Sequence, residues 1–178
     1  MDEQRLWAPW RLSYIKGQDE PEPGPDPQSW QAGAEPSCFL CRCSARYTDQ
    51  READRRNLVV RHTDHAVVVL NRYPYSNGHL LIAPTRHEGD LCNLDQQDHL
   101  ELMGLIAEMK QALEQELNAF GFNIGLNLGQ AAGAGLPGHL HWHLVPRWPG
   151  DHNFMSVTAG ARVIPQALDE LWNLLREA

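Results

Sequence analysis

Residues 138–148 read GHLHWHLVPRW, and the alternation in this segment constrains the fold more than any other stretch of the chain. His139, His141 and His143 stand two apart, with Leu140, Trp142 and Leu144 between them. In an extended chain successive side chains point to opposite faces, so residues two apart share a face; a helix would scatter them around its axis. The segment therefore predicts a strand with an imidazole face and an apolar face that packs on a core, ended by Pro146 and Arg147. One histidine on such a strand needs no explanation beyond a solvated face. Three at perfect period point to chemistry.

Further strands are legible around it. NLVVRH (57–62) and AVVVLNRYPY (66–75) are β-branched runs separated by the turn-like TDH of 63–65, and read as a hairpin. GHLLIAPTRH (78–87) is a third apolar run, which Pro84 stops or pushes to a sheet edge. Over 94–120, Leu100, Met103, Leu105, Ile106, Met109, Leu113 and Leu117 recur near a 3.6-residue period. Asp95 and Asp98 near the start and Gly121 after the end make this one long amphipathic helix. FNIGLNLG reads as a fourth strand, QAAGAGLPG as a flexible loop, the histidine segment as a fifth strand, and 165–176 as a closing helix. With no regular βαβ alternation, the expected class is α+β: a mainly antiparallel sheet of about five strands, one long helix and a C-terminal helix. Residues 16–37, dense in Pro, Gly and acids, read as an irregular connection. The expected organisation is an N-terminal aromatic arm and linker over 1–37 and a single domain over 38–178. The arm carries Leu6, Trp7, Trp10, Leu12, Tyr14 and Ile15, apolar enough to pack on its own domain or on a second subunit.

Charge narrows the partners. A net charge of −8 with a pI near 5.5, and no local basic patch, argues against a nucleic-acid surface and leaves a small anionic substrate open. No apolar run approaches the ~18 residues of a membrane span, and the acidic start MDEQ is unlike a secretory signal, so a soluble, cytoplasmic protein is expected. In that setting Cys38, Cys41, Cys43 and Cys92 fit metal binding or unpaired thiols better than a disulfide framework.

HLHWHLV satisfies the pattern His-φ-His-φ-His-φ-φ at every position, φ being apolar, and so resembles the histidine triad family of nucleotide hydrolases and transferases. LNRYPYSNGHLLIAPTRH is similar to that family's nucleotide-binding strands, and GFNIGLNLG to the strand before its phosphate loop. RLWAPWRLSYI, GFNIGLNLG and VPRWPGDHNF resemble more narrowly the bacterial branch related to diadenosine tetraphosphate phosphorylases and hydrolases. The resemblance implies a HIT-like fold and attack by His141 on the α-phosphorus of a dinucleoside polyphosphate, through a covalent nucleotidyl-histidine. Water or phosphate then releases the product, and His143 donates to phosphoryl oxygens. It also implies that Asn71 holds the ribose, with Leu70 and Tyr73 near the base. Asn127 and Gln130 would line the phosphate path, and the backbone about Gly133 and Gly135 would face the phosphates. The usual loop serine has no counterpart in AGAGLPG, so only backbone donors are expected there. Family members commonly form homodimers, and one is expected here.

Cys38 and Cys41 have the C-x-x-C spacing that lets two thiolates hold one zinc. In zinc-bearing relatives of this family the site is completed by a histidine after the I-x-P strand and by the first histidine of the triad. The matching positions are His87 and His139, which gives a structural zinc on Cys38, Cys41, His87 and His139. Cys43 and Cys92 are read as bystanders, His62, His65, His99 and His152 as surface residues, and His79 as structural or at the rim of the site. Two other activities stay open: a nucleoside phosphoramidate hydrolase of the same family, and a metallohydrolase whose catalytic ion is held by all three triad histidines.

Overall fold

The computed structural model describes residues 25–151 and 166–178; the aromatic arm, the first part of the linker and His152 lie outside them. Five strands form one antiparallel sheet: β1 (Val59–His62), β2 (Ala66–Leu70), β3 (Leu80–Pro84), β4 (Gly121–Leu126) and β5 (Trp142–Arg147). Their spatial order is β1-β2-β3-β5-β4. The histidine strand is thus interior, and β4 is an edge. Val69, Leu81, His143 and Gly125 lie in register across one face, and Leu70, Leu80, Leu144 and Ile124 across the other. All residues of β2 and β3 are buried, as continuous apolar runs covered on both faces must be. Pro84 ends β3 but does not move it to an edge, because it takes the last position of the ladder, opposite Ala66.

Four α-helices among the described residues accompany the sheet: α1 (Phe39–Ser44), α2 (Gln50–Asn57), α3 (Gln96–Leu117) and α4 (Leu168–Glu177). The long helix is α3. Asp95 and Asp98 form a reciprocal capping box at its start, and Asn118 in the left-handed region ends it three residues before the glycine expected to do so. Leu102, Leu105, Ile106, Met109, Ala112 and Leu113 bury one stripe against the sheet, with Leu102, Met109 and Leu113 wholly enclosed. Leu100 and Met103, counted in the expected stripe, are 62% and 48% exposed. They fall on the far side of the helix. The closing helix α4 packs on β1 and α3, its Trp172 indole donating to the Val59 carbonyl oxygen at 2.8 Å.

The polar stretch after Cys41 is helical. Asp49 caps α2 by accepting from the Glu52 N–H, and the D-x-x-E spacing that carries this cap is visible in the sequence. The described end of the linker, 25–37, forms turns with one bridge from Ser29 to Arg46, and its Trp30 packs on the core. No described helix is long and apolar enough to cross a membrane.

Candidate active site

The triad does not lie wholly on a strand. The ladder of β5 begins at Trp142, opposite Ile82 and Leu126, so His143 is in the sheet while His139 and His141 precede it. The reason is local. The Leu140 N–H donates to the Glu88 carbonyl oxygen at 2.7 Å and the His139 N–H to that of Leu136 at 3.2 Å, which draws this run out of register with β3. The three imidazoles accordingly serve different neighbours.

Each ring has a tautomer set by a partner of known role. His141 Nδ1 lies 2.9 Å from the His139 carbonyl oxygen. A carbonyl only accepts, so Nδ1 carries the proton and Nε2 keeps its lone pair. His139 Nε2 lies 2.9 Å from the Pro84 carbonyl oxygen, which by the same logic leaves Nδ1 unprotonated. His143 takes its state from His79, a fully buried residue on the first turn into β3. The Tyr75 N–H donates to His79 Nδ1 at 3.1 Å, and the Asn71 amide nitrogen lies 3.2 Å from the same atom. Asn71 is oriented by the Tyr73 N–H, which donates to its Oδ1 at 2.9 Å. His79 Nε2 therefore bears the hydrogen and donates to His143 Nδ1 at 2.9 Å, which puts the His143 proton on Nε2. The rings of His141 and His143 meet edge to face, 5.1 Å apart, with Tyr75 stacked on His79 at 4.9 Å.

His79, read from sequence as structural or peripheral, is thus the residue that joins Asn71 to His143. Its position in NGH before an apolar strand carries no signal of that link. Leu70 is 1% exposed and belongs to the core, so it offers no surface to a ligand. Tyr73 is partly exposed beside Asn71. Asn127 follows β4, and Gln130 opens a one-turn 3-10 helix (Gln130–Ala132) that Gly133 closes at φ 82°, a left-handed conformation natural to glycine. The Gly133 N–H donates to the Gln130 carbonyl oxygen and the Ala134 N–H to that of Gly129, so both are spent within the turn. Gly135 is exposed in the bend that follows.

On the other side of His139 stand Cys38, Cys41 and His87, and one donor atom from each of the four lies within 4.8 Å of the rest. Cys38 Sγ is 3.3 Å from His139 Nδ1, and Cys41 Sγ is 3.2 Å from His87 Nδ1 and 3.6 Å from His139 Nδ1. Donors at zinc bond lengths around a tetrahedral ion stand ~3.4–3.8 Å apart, so the set fits such an ion with little movement. Burial pushes the Cys41 thiol up to about 11 and lowers His139 to about 4. The imidazole is therefore a neutral donor, and the thiol is one that gives up its proton readily only to a cation. Cys38 caps α1 and Cys41 lies within it, so the short helix presents both sulfurs on one side. Cys43, also on α1, turns away to the Asn57 carbonyl oxygen, and burial pushes it up to about 12.

The model of the HIT domain family matches residues 52–150, more than half of the chain. The chain belongs to the HIT domain family. Over 172 residues, 97% of this chain and 82% of the relative, it is 38% identical to a Mycobacterium tuberculosis protein named AP-4-A phosphorylase. It is 32% identical to the asymmetrical bis(5'-nucleosyl)-tetraphosphatase of Schizosaccharomyces pombe, over 46% of this chain and 44% of that one. Among solved HIT structures, a zinc-bound histidine triad protein from Mycobacterium smegmatis superposes with a TM-score of 0.56 at 27% identity, covering 67% of this chain and 81% of that one.

Proposed function

We propose that this HIT protein is a nucleotidyl transferase that cleaves dinucleoside polyphosphates of the diadenosine tetraphosphate type. The observation that carries the mechanism is the Nδ1–H of His141 held on the His139 carbonyl, which directs the lone pair of the neutral ring to Nε2. Nε2 attacks the α-phosphorus; the N–P bond forms as the bond to the bridging oxygen breaks, and the remaining nucleotide departs. The oxygen of phosphate or water then attacks the same phosphorus, and His141 leaves with its lone pair restored. The Nε2–H of His143, fixed through His79, donates to phosphoryl oxygens as charge builds on them. Asn71 and Tyr73 lie at the ribose end, and Asn127 and Gln130 along the phosphates. With the N–H groups of Gly133 and Ala134 occupied, hydrogen bonds from the loop to phosphate come from the N–H groups of Gly135, Leu136 and Gly138.

Cys38, Cys41, His87 and His139 hold a structural zinc in this reading, supported by donor type and spacing and by the zinc-bound relative. Four protein donors complete a tetrahedron with no open position, so the ion would supply cohesion only. The same geometry speaks against a catalytic ion on all three triad histidines. His139 has one ring nitrogen on Pro84 and the other among the sulfurs, and none remains for an ion shared with His143.

The relative named AP-4-A phosphorylase spans nearly the whole chain and favours phosphate over water as second acceptor. Labelled diadenosine tetraphosphate, incubated with and without phosphate, decides it. ADP and ATP formed only with phosphate are expected; AMP and ATP, or two ADP, formed without phosphate would make the protein a hydrolase, and no cleavage in either arm would refute the reading.

A further inference from the structure

The nucleophile hangs from backbone that the sheet does not hold, since pairing begins one residue after His141. What fixes 138–141 instead is the segment that follows β3. Pro84 accepts from the His139 ring, and Glu88 accepts from the Leu140 N–H. Between these anchors and the phosphate loop lies Gly89. A Cβ built there would stand 2.7 Å from the Pro137 carbonyl oxygen and 3.1 and 3.2 Å from Gly138 Cα and carbonyl carbon. All three are backbone atoms, with no side-chain tip to swing aside. The backbone of Gly89 is not in the left-handed region, so conformation does not demand a glycine. Space does.

We propose that Gly89 is a positioning residue for His141. Its missing side chain lets 87–89 lie against Pro137 and Gly138, and that contact sets where the His139 carbonyl oxygen stands, the atom that holds the nucleophile's tautomer and aim. The proposal rests on the reading of His141 as nucleophile. An added methyl group pushes 137–138 outward, and the shift passes along two peptide units to a hydrogen bond of 2.9 Å. A misplacement of ~1 Å at a reacting group can slow the reaction by ~10²-fold. At Gly138 a Cβ would stand 3.2 Å from His87 Nε2, a looser approach than the 2.7 Å met at Gly89.

The test is Gly89→Ala, with Gly138→Ala as a milder second variant that carries the measurement if the first does not fold. Single-turnover release of the first product from diadenosine tetraphosphate, AMP affinity, melting temperature and the imidazole ¹⁵N spectrum are compared with the parent protein, well below the melting temperature of each. The expected result for Gly89→Ala is at least a tenfold slower first step with AMP affinity within twofold, and for Gly138→Ala a smaller loss in the same direction. The His141 Nδ1–H signal should exchange faster or give way to the other tautomer. A first step within twofold of the parent, whatever the melting temperature, overturns the proposal, as does an unchanged His141 signal alongside weakened AMP binding. If the parent itself does not cleave the substrate, the reading of the reaction fails. The ¹⁵N spectra still decide whether Gly89 governs His141.

Discussion

At the scale of single residues, three histidines of one type are given three jobs by the atoms beside them. A carbonyl leaves His141 a bare Nε2, a second carbonyl leaves His139 a bare Nδ1, and a buried imidazole leaves His143 a proton to donate. Replacing His141 with Asn removes the proposed nucleophile but keeps an amide able to donate to the His139 carbonyl, so the pocket should persist. We expect kcat to fall by more than 10³ with AMP affinity nearly unchanged, as measured by steady-state turnover and calorimetry; a variant that keeps a tenth of kcat, a barrier change of only ~1.4 kcal/mol, would rule His141 out. The triad spacing itself was legible, because a period of two survives in any extended run. The division of labour was not, because Pro84, Tyr75 and Asn71 reach these rings only through the fold. Leu70 shows the converse: an apolar residue next to the asparagine proposed to hold the ribose looks like part of a pocket wall until its burial is known.

Between elements, two polar clusters tie helices to strands. Asp98, at the head of α3, accepts from Arg86 after β3 and faces His65 between β1 and β2, with N···O distances of 2.7 and 3.0 Å. Burial alone would raise the Asp98 carboxyl, but the bonds from Arg86, His65 and the Asp95 N–H outweigh it and hold the group below its ordinary value. The bond to Asp98 holds His65 above its own. The signs follow. A lowered carboxyl adds stability that is complete above its unfolded value of about 4 and is lost as pH falls through the folded one; a raised imidazole adds stability that is complete below about 6.5 and fades as pH rises through its folded value. Asp98→Asn should therefore cost about 1–2 kcal/mol near pH 6, and its melting temperature should vary less with pH on both the acid and the alkaline side. Melting curves from pH 3 to 9 check this, and parallel curves for the two proteins would contradict it. The second tie is the cluster of Cys38, Cys41, His87 and His139, which joins α1, the segment after β3 and the run into β5. His139→Ala, Cys38→Ser and His87→Ala should each lower melting temperature and bound zinc together, while His141→Asn changes neither. Elemental analysis beside calorimetry reads both, and a protein isolated without chelators that contains no zinc would remove the ion from this account. Cys38 and Cys41 were legible from their C-x-x-C spacing, whereas His87 and His139 could be matched only through the family resemblance. Helices α1 and α2 were missed because their apolar residues are too few to show a period, and only the Asp49 cap marked a start.

In the molecule as a whole, several large apolar side chains stay uncovered on strand β4, on the residues flanking it and on the outer side of α3. Strand β4 has no partner on its outer side among the described residues. Ile124 on it is 50% exposed, Phe120 and Leu128 beside it 77% and 47%, and Leu100 and Met103 on α3 are likewise uncovered. An edge with unpaired amides and an apolar flank calls for cover. We expect two copies to pair there, so that Ile124→Lys shifts the mass by light scattering from ~40 to ~20 kDa without loss of the fold; a parent protein that is already monomeric at micromolar concentration would dismiss the pairing.

The place of β5 between β3 and β4 also sets an order of events. It is the last of the described strands to leave the ribosome, yet β3 and β4 meet only through it. Until about residue 147 has emerged, β4 has no neighbour to bond, and the earlier three-stranded meander lacks its inner flank. Such late, distant closure makes folding slow and leaves β4 open to wrong partners while synthesis continues. A chain cut short before the histidine motif would thus lose more than the three histidines, since what remained would be two pieces of a sheet with nothing to join them.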